Sequence, residues 1–364
     1  ADGPVRPVLA AGAAPGDRMP AVALEPARDL YDRILFQGGR FQRLRRYHRA
    51  AAREIDVEVA ADPSVRWFAG YLPATLLLGD PGVRDALMHG NQVCVPDATL
   101  LPAGIDRLHP AGDRLSGVGA GAGLRCRAVE RSSDGSTYVY DIELSTSDGT
   151  VVETWQGLRL RAVRRQDGRG PWAAPLLGPY LERAVGELAG AAVAVAVEPD
   201  PVEPDPVEAA RPGQDRAGPD RVGPEQDGAG LVERRREATA LAAGRAVGHP
   251  VRPRYRPDGR PELDDGAISA AHGSGLTLCV VGAGPLGCDL EPVLPRSGPD
   301  WAGLLGRHAD LARLIAAEAG EAFDTAATRV WCAVECLSKA GLVAQGPLAQ
   351  GPLAQGPLAH GLLA

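Results

Sequence analysis

Apolar and polar residues alternate at period two through Ser136-Thr-Tyr-Val-Tyr-Asp-Ile-Glu-Leu-Ser145 and through Val151-Val-Glu-Thr-Trp-Gln-Gly-Leu-Arg-Leu-Arg-Ala-Val163. That pattern predicts strands of a half-buried antiparallel sheet, joined by short Ser-Asp-Gly turns. A helix-like stretch surrounds Asp85 to Gln92, and Pro171 to Leu188 predicts a second helix. Ala191 to Val197 predicts a strand. Beyond it, Leu231 to Val247 predicts a helix, Leu276 to Val281 an apolar strand, and Trp331 to Lys339 a final helix.

The gaps between these elements divide the chain. Residues 1–27 are rich in Ala, Gly and Pro and predict a linker. The segment that opens Glu198-Pro-Asp-Pro-Val-Glu-Pro-Asp-Pro-Val207 continues in the same style to about Gly230. Repeated prolines remove backbone donors and forbid a packed helix or central strand, so an extended linker is expected there. Three Gln-Gly-Pro-Leu-Ala units from Gln345 predict a disordered tail. The expected order is a linker over 1–27, a globular region over 28–167, and a connecting segment over 168–230. A second globular region over 231–342 and a tail over 343–364 complete it.

Composition narrows the class. A formal net charge of -7 argues against a general nucleic-acid binder. No apolar run reaches membrane-spanning length and no signal peptide is recognisable, so no membrane partner and a cytoplasmic protein are expected. The six cysteines are dispersed in mostly apolar surroundings, as reduced buried thiols would be. The chain begins Ala-Asp rather than Met, which suggests a piece of something longer. Lys339 is the one lysine among 39 basic residues. A position that keeps lysine where arginine is otherwise used calls for a compact, flexible ammonium.

Candidate chemistry gathers around that lysine. Leu276-Thr-Leu-Cys-Val-Val-Gly-Ala-Gly-Pro-Leu-Gly287 superficially matches a dinucleotide fingerprint, which would make the chain a nucleotide-cofactor oxidoreductase. That fingerprint needs a helix opening at its third glycine, and Pro292 and Pro295 would break one. The pattern instead predicts a hairpin: a strand to Val281, a Gly-Ala-Gly-Pro turn, and a return strand carrying Asp289 and Glu291. On a strand, residues two apart share a face at roughly 7 Å, so the two carboxylates would converge. Such hard oxygens suit Mg²⁺, or simply form a solvated strand end. Glu335 and Lys339 are four apart on the last helix, stacked about 6 Å along its axis. They would form a surface ion pair or add a third carboxylate and a cation to the acidic pair. An arginine-bearing turn, Arg256-Pro-Asp-Gly-Arg260-Pro261, and a histidine in Ser269-Ala-Ala-His272 complete a phosphate-binding constellation.

The order of these motifs resembles the 4'-phosphopantetheinyl transferase family. That family has a Gly-Lys-Pro turn, a Ser-x-Ser-His strand end, a Gly-x-Asp-x-Glu strand and a Trp-x-x-Lys-Glu-x-x-x-Lys helix. This chain has Gly259-Arg-Pro261, Ser269-Ala-Ala-His272, Gly287-Cys-Asp-Leu-Glu291 and Trp331-Cys-Ala-Val-Glu335-Cys-Leu-Ser-Lys339, over about 110 residues. Ala271 departs from the second serine and Val334 from the first lysine. The family usually continues with strands where this chain runs into its repeats. The resemblance implies that Asp289, Glu291 and Glu335 hold Mg²⁺ on the pyrophosphate of coenzyme A. It implies that Lys339 stabilises the departing 3',5'-ADP, and that Arg236, Arg260 and His272 contact phosphates. Glu335 or a metal-linked water would deprotonate the serine of an acyl carrier protein domain.

The first region carries a second resemblance. Leu30-Tyr-Asp-Arg-Ile-Leu-Phe-Gln-Gly-Gly-Arg-Phe-Gln-Arg-Leu44 is similar to the opening of the second hot-dog half of a polyketide synthase dehydratase. Gly79-Asp-Pro-Gly-Val-Arg-Asp85-Ala-Leu-Met-His89-Gly-Asn-Gln92 is similar to the Asp-x-x-x-His/Gln helix of that half. The resemblance implies that Asp85 is the general acid for the departing hydroxyl and that His89 orients it. No histidine here fits the His-x-x-x-Gly-x-x-x-x-Pro pattern of the first half, so this piece alone is not expected to dehydrate.

Together the two regions resemble the C-terminal end of an iterative enediyne-type polyketide synthase. The expected fold class is α+β: a hot-dog half, an antiparallel sheet around a helix, followed by a small α+β transferase domain. The rest of the synthase is an expected partner, and hot-dog pairing implies a homodimer by analogy. A truncated segment that serves only in docking or structure remains the alternative.

Overall fold

The computed structural model describes residues 8–9, 19–62, 64–72, 76, 79–112, 123–166, 172–200 and 228–343. Most of the expected opening linker, most of the Pro/acid segment and nearly all of the repeat tail lie outside the described residues. The chain forms two units, one built from residues 1–191 with 248–250 and the other from 192–247 with 251–364.

The first unit is a seven-stranded antiparallel sheet. Its strands are β1 (Leu44–Ala50), β2 (Glu54–Ala60), β3 (Ala98–Gly104), β4 (Arg107–His109), β5 (Gly123–Ser133), β6 (Thr137–Ser145) and β7 (Val151–Arg165). They lie in the order β1-β2-β5-β6-β7-β3, with β4 also on β7. The period-two pattern sets which residues share a face. Ile55, Val57 and Val59 of β2 lie opposite Ala128, Cys126 and Leu124 of β5. Cys126 and Ala128 in turn meet Leu144 and Ile142 of β6, and Tyr140 and Tyr138 meet Leu158 and Leu160 of β7. All of these side chains belong to one buried cluster. A slip of one residue in any strand would turn its apolar set to water, so the alternation fixes the register.

Helix α1 (Pro81–His89) joins that cluster through Val83, Ala86 and Leu87. Asp80 caps it by accepting the Gly82 N–H at 2.7 Å, and Pro81 at the first position loses no needed donor. A buried 3-10 turn, Gly90–Cys94, follows directly. Helix α2 (Ala174–Ala189) ends in Gly190 at φ 60 and inserts Leu176 into the same core. Two boundaries therefore differ from the expected ones. Val22 and Leu24, assigned by composition to the opening linker, are core residues, and the Val22 N–H bonds the Tyr47 carbonyl at 2.7 Å. The helix assigned to the connecting segment belongs to the first unit.

The second unit is α+β. Its sheet has the order β11-β12-β8, from β8 (Val193–Pro199), β11 (Ala267–Gly273) and β12 (Leu276–Gly282), all antiparallel. A small hairpin pairs β9 (Arg254–Tyr255) with β10 (Pro261–Glu262). Helix α3 (Gly228–Val247) packs Ala242, Ala243 and Ala246 on Ala196, Cys279 and Val281 of the sheet. Helices α4 (Gly298–Leu305), α5 (Ala309–Ala319) and α6 (Phe323–Lys339) share a separate core with Trp301, Ala312 and Val330. Glu198 and Asp200, placed by sequence at the head of a linker, are instead buried at the end of β8. Glu198 meets Arg245 of α3 at 3.2 Å and Asp200 meets His272 at 3.3 Å.

A buried ion pair holds α2 to its unit. Arg183 pairs with Glu130 and also donates to the carbonyls of Cys94 and Ala52. Its guanidinium lies 4.9 Å from the Tyr138 ring centroid. Removing one partner of a buried pair leaves the other charge uncompensated. Arg183→Met is expected to destabilise the first unit by about 3 kcal/mol. That is the low end for such a loss, because Arg53 lies 3.7 Å from Glu130 and the Tyr140 hydroxyl donates to it. Urea denaturation of the full chain measures it, and an unchanged midpoint would contradict the assignment.

Candidate functional site

Two clusters of polar side chains stand out, one in each unit. In the first unit, Asp85 and His89 are one turn apart on α1 and so lie on the same helix face. His89 Nδ1 is 3.0 Å from Asp85 Oδ2. The His89 side chain is 5% exposed and that of Asp85 27%, so the imidazole is enclosed and the carboxyl reaches the surface. On its other side His89 Nε2 is 3.3 Å from the Tyr31 hydroxyl, whose oxygen accepts the Leu44 N–H at 3.0 Å. Burial pushes the Tyr31 phenol up to about 12, so it keeps its proton and remains a donor.

The residues around this pair hold it in place. Gln92 is buried, and it spans from the 3-10 turn to β3: its amide donates to the carbonyls of Val95 and Ala98 and accepts the Leu100 N–H. The Tyr47 hydroxyl donates to the Gly90 carbonyl at 2.9 Å. Glu153 of β7, 2% exposed, receives Arg84 of α1, the Ala111 N–H and the Trp155 indole. Neither Tyr31 nor Glu153 is singled out by sequence. Tyr31 lies 58 positions from His89, and only the folded sheet brings them together.

In the second unit the expected hairpin does not form. Both edges of β12 are occupied, by β11 and β8, so no edge is left for a return strand. Pro285, Pro292 and Pro295 further deplete the segment of donors. Asp289 and Glu291 lie instead on an irregular stretch between β12 and α4. The Cys288 N–H bonds Ser269 Oγ of β11 at 3.0 Å. A Cβ on Gly287 would overlap the Cys336 carbonyl oxygen of α6, and one on Gly273 would press on the Leu290 carbonyl oxygen at 2.7 Å. Gly287 thus serves close packing on α6 rather than a pyrophosphate turn. No helix opens at it, and the sheet is antiparallel, which removes the basis for a dinucleotide fold.

Lys339 does not pair with Glu335 as the helix spacing predicts. Its Nζ lies 2.7 Å from Asp289 Oδ1 and donates to the Cys288 carbonyl at 3.0 Å. Burial works against its charge, but the Asp289 carboxylate outweighs that and raises its pKa. Asp289 Oδ2 is buried with no hydrogen-bond partner. Burial, with the charge of Asp289 second, pushes Glu291 up to about 7, and the same two causes raise Glu335. The three expected metal ligands are therefore electrostatically coupled.

The expected phosphate contacts are engaged elsewhere. Arg260 donates to the Lys339 and Ser338 carbonyls at 3.0 and 3.4 Å and so satisfies the end of α6. His272 has Thr239 at Nε2, and Thr277 and Asp200 at Nδ1. Arg236 lies over the Tyr255 ring at 4.7 Å and is 3.9 Å from Glu233.

Among the described residues no three His, Cys, Asp or Glu side chains are arranged to hold a metal ion. Asp289, Glu291 and Glu335 thus do not form a ready-made metal site, but their chemistry suits a hard cation: Asp289 has an orphaned carboxylate oxygen, and Mg²⁺ takes one or two protein carboxylates and completes its shell with phosphates and water. All six cysteines are free. No described helix is long and apolar enough to cross a membrane.

Residues 10–170 match the family model for the polyketide synthase dehydratase N-terminal domain. Over those residues the first unit is similar to polyketide synthase dehydratases, through the model of the N-terminal domain rather than the second half that the motifs resemble. Its curled antiparallel sheet with α1 against it fits the hot-dog fold of that relationship. No curated protein matches the chain significantly. Among solved structures, it is similar to the dehydratase domain of a mycocerosic acid synthase-like polyketide synthase. That likeness has 22% identity and a TM-score of 0.27, over 35% of this chain and 43% of that one. The dehydratase domain from the CurJ module of the curacin polyketide synthase matches at 19% identity and TM-score 0.29, over 37% of this chain and 47% of that one. A hypothetical thioesterase with coenzyme A from Streptococcus pneumoniae matches at 9% identity and TM-score 0.24, over 33% of this chain and 90% of that one. The chain spans less than half the length of the two dehydratases.

The raised pKa of Glu291 makes folding depend on pH. Its folded pKa of about 7 lies above the usual 4.5, so the folded chain holds a proton across that window that the unfolded chain has lost. Stability therefore falls as pH rises from 4.5 to about 7. Glu291→Gln removes that slope. The melting temperature of the variant is expected to gain on that of the parent chain through the window, measured by paired thermal melts at each pH.

Proposed function

We propose that the chain is part of an iterative, enediyne-type polyketide synthase, and that its first unit is the acid-bearing second half of a dehydratase. The single observation behind this is the Asp85–His89 pair on α1; the stretch that holds it matches a dehydratase model named for the N-terminal domain, so the match supports the dehydratase relationship and the assignment to the second half rests on the pair. In this reading a histidine from a separate hot-dog half removes the α-proton of a β-hydroxyacyl group. Asp85 gives its proton to the β-hydroxyl, the C–O bond breaks and water leaves. His89 orients Asp85. The test mixes the chain with a hot-dog half that supplies that histidine, and follows dehydration of a β-hydroxyacyl carrier protein. Dehydration is expected, and Asp85→Asn is expected to lower its rate by about 10²–10⁴-fold. Dehydration that survives Asp85→Asn would remove the acid role.

A second reading, for the second unit, is favoured by the coupled carboxylates around Lys339. We propose that this unit transfers 4'-phosphopantetheine from coenzyme A to the serine of an acyl carrier protein domain. Asp289, Glu291 and Glu335 would hold Mg²⁺, which when bound neutralises the pyrophosphate. Glu335 takes the serine proton, the serine oxygen bonds to the β-phosphorus, and the bond to 3',5'-ADP breaks. Lys339 compensates the charge on that leaving group. Arg260 and His272 enter this reading less directly than the motifs imply, because both are engaged within the unit.

Mass spectrometry of an apo carrier protein incubated with the chain, coenzyme A and Mg²⁺ tests it. A gain of one phosphopantetheine is expected, lost in Lys339→Ala and Glu335→Gln. No gain with several carrier proteins would favour a structural role for the second unit.

A further inference from the structure

The hydrogen bonds around His89 run in one direction. The Tyr31 oxygen accepts the Leu44 N–H at 3.0 Å, and burial keeps the phenol protonated, so its O–H is available to donate. The acceptor in reach is His89 Nε2 at 3.3 Å. An Nε2 that accepts carries no proton, so in the neutral ring the proton sits on Nδ1. Nδ1–H then donates to Asp85 Oδ2 at 3.0 Å. The Tyr31 and His89 rings meet edge to face, with centroids 5.9 Å apart, which fixes the imidazole plane as well.

The reverse arrangement is chemically distinct. If Nε2 carried the proton, Nδ1 would face Asp85 as an acceptor. The carboxyl would then have to spend its own proton on His89, and the Tyr31 O–H would lose its acceptor.

We propose that Tyr31 is a positioning residue of the acid site: through its hydroxyl it fixes His89 as the Nδ1–H tautomer, which occupies one carboxyl oxygen of Asp85 and leaves the other to carry the proton delivered to substrate. The delivery step rests on the dehydratase reading, whereas the tautomer does not. No bond other than hydrogen bonds changes in this assignment. Tyr31 acts only through His89, and His89 only through Asp85.

The tautomer is read directly by NMR of the full chain labelled with ¹⁵N-histidine. Long-range proton–nitrogen correlations separate a protonated from an unprotonated ring nitrogen, and loss of the signal in His89→Gln assigns the residue. A protonated Nδ1 and an unprotonated Nε2 are expected in the parent chain. Tyr31→Phe removes the hydroxyl alone and is expected to shift the His89 nitrogens toward the opposite pattern, with the other histidines unchanged. A parent chain that shows Nε2–H would overturn the proposal, as would an unchanged pattern in a folded Tyr31→Phe. Should Tyr31→Phe fail to fold, the parent spectrum alone still decides the tautomer. The reconstituted dehydration separates the two ideas. The expected tautomer with activity insensitive to Asp85→Asn sinks the dehydratase reading only, and Nε2–H with Asp85-dependent activity sinks the Tyr31 assignment only.

Discussion

Enclosing α1 and its 3-10 extension against one face of an antiparallel sheet is the constraint from which the first unit follows. A helix end inside a core carries backbone groups that need partners, because a buried unpaired donor or acceptor costs about as much as a lost hydrogen bond or more. Here side chains from all sides supply them. Asp80 takes the Gly82 N–H at the start, Asn91 donates back to the Leu87 carbonyl, Tyr47 reaches the Gly90 carbonyl, and Gln92 satisfies three groups of the turn and β3. With the helix end fixed in this way, its last residue, His89, is enclosed, while Asp85 one turn earlier stays at the rim. The chemistry of the pair is thus a by-product of where the core closes.

That constraint also explains which parts of the molecule can be read from sequence. β6 and β7 announce themselves, because a sheet with one buried face imposes a period-two pattern on every strand. Asp85 and His89 are legible as a pair because helix geometry makes spacing four a contact. Tyr31 is not legible, since its contact depends on the path of β1 and on the π-helical turn Pro26–Leu30 that precedes it. Glu153 looks like one more polar position of an alternating strand, yet it lies buried, because Arg84, Ala111 and Trp155 all reach it.

The second unit shows the opposite failure. Asp289 and Glu291 look like strand residues when only local pattern is considered, with an apolar strand, a glycine turn and an i, i+2 pair. Whether a second strand forms depends on whether β12 has a free edge. β8 takes that edge, 77 to 89 positions upstream of its partners. Glu198 and Asp200 look like the first residues of a Pro/acid linker for the same reason. Their partners, Arg245 and His272, come from an α3 helix and a β11 strand that no local window contains.

What remains of the acidic pair is more informative than the hairpin would have been. A surface strand end would leave both carboxylates solvated and with ordinary acidity. Instead Glu291 is raised, Asp289 keeps a buried oxygen without a partner, and Lys339 can compensate only the other oxygen. Arg296 and Arg260 also act on Glu291 and Glu335, although Arg260 donates its hydrogen bonds to the carbonyls at the end of α6. Glu291 and Glu335 are thus harder to ionise than ordinary carboxyls even with those cations nearby, and ionising them opposes folding. A bound cation would relieve that mutual repulsion. That repulsion, more than the order of motifs along the chain, is why we favour a cation-dependent role for the second unit over a purely structural one.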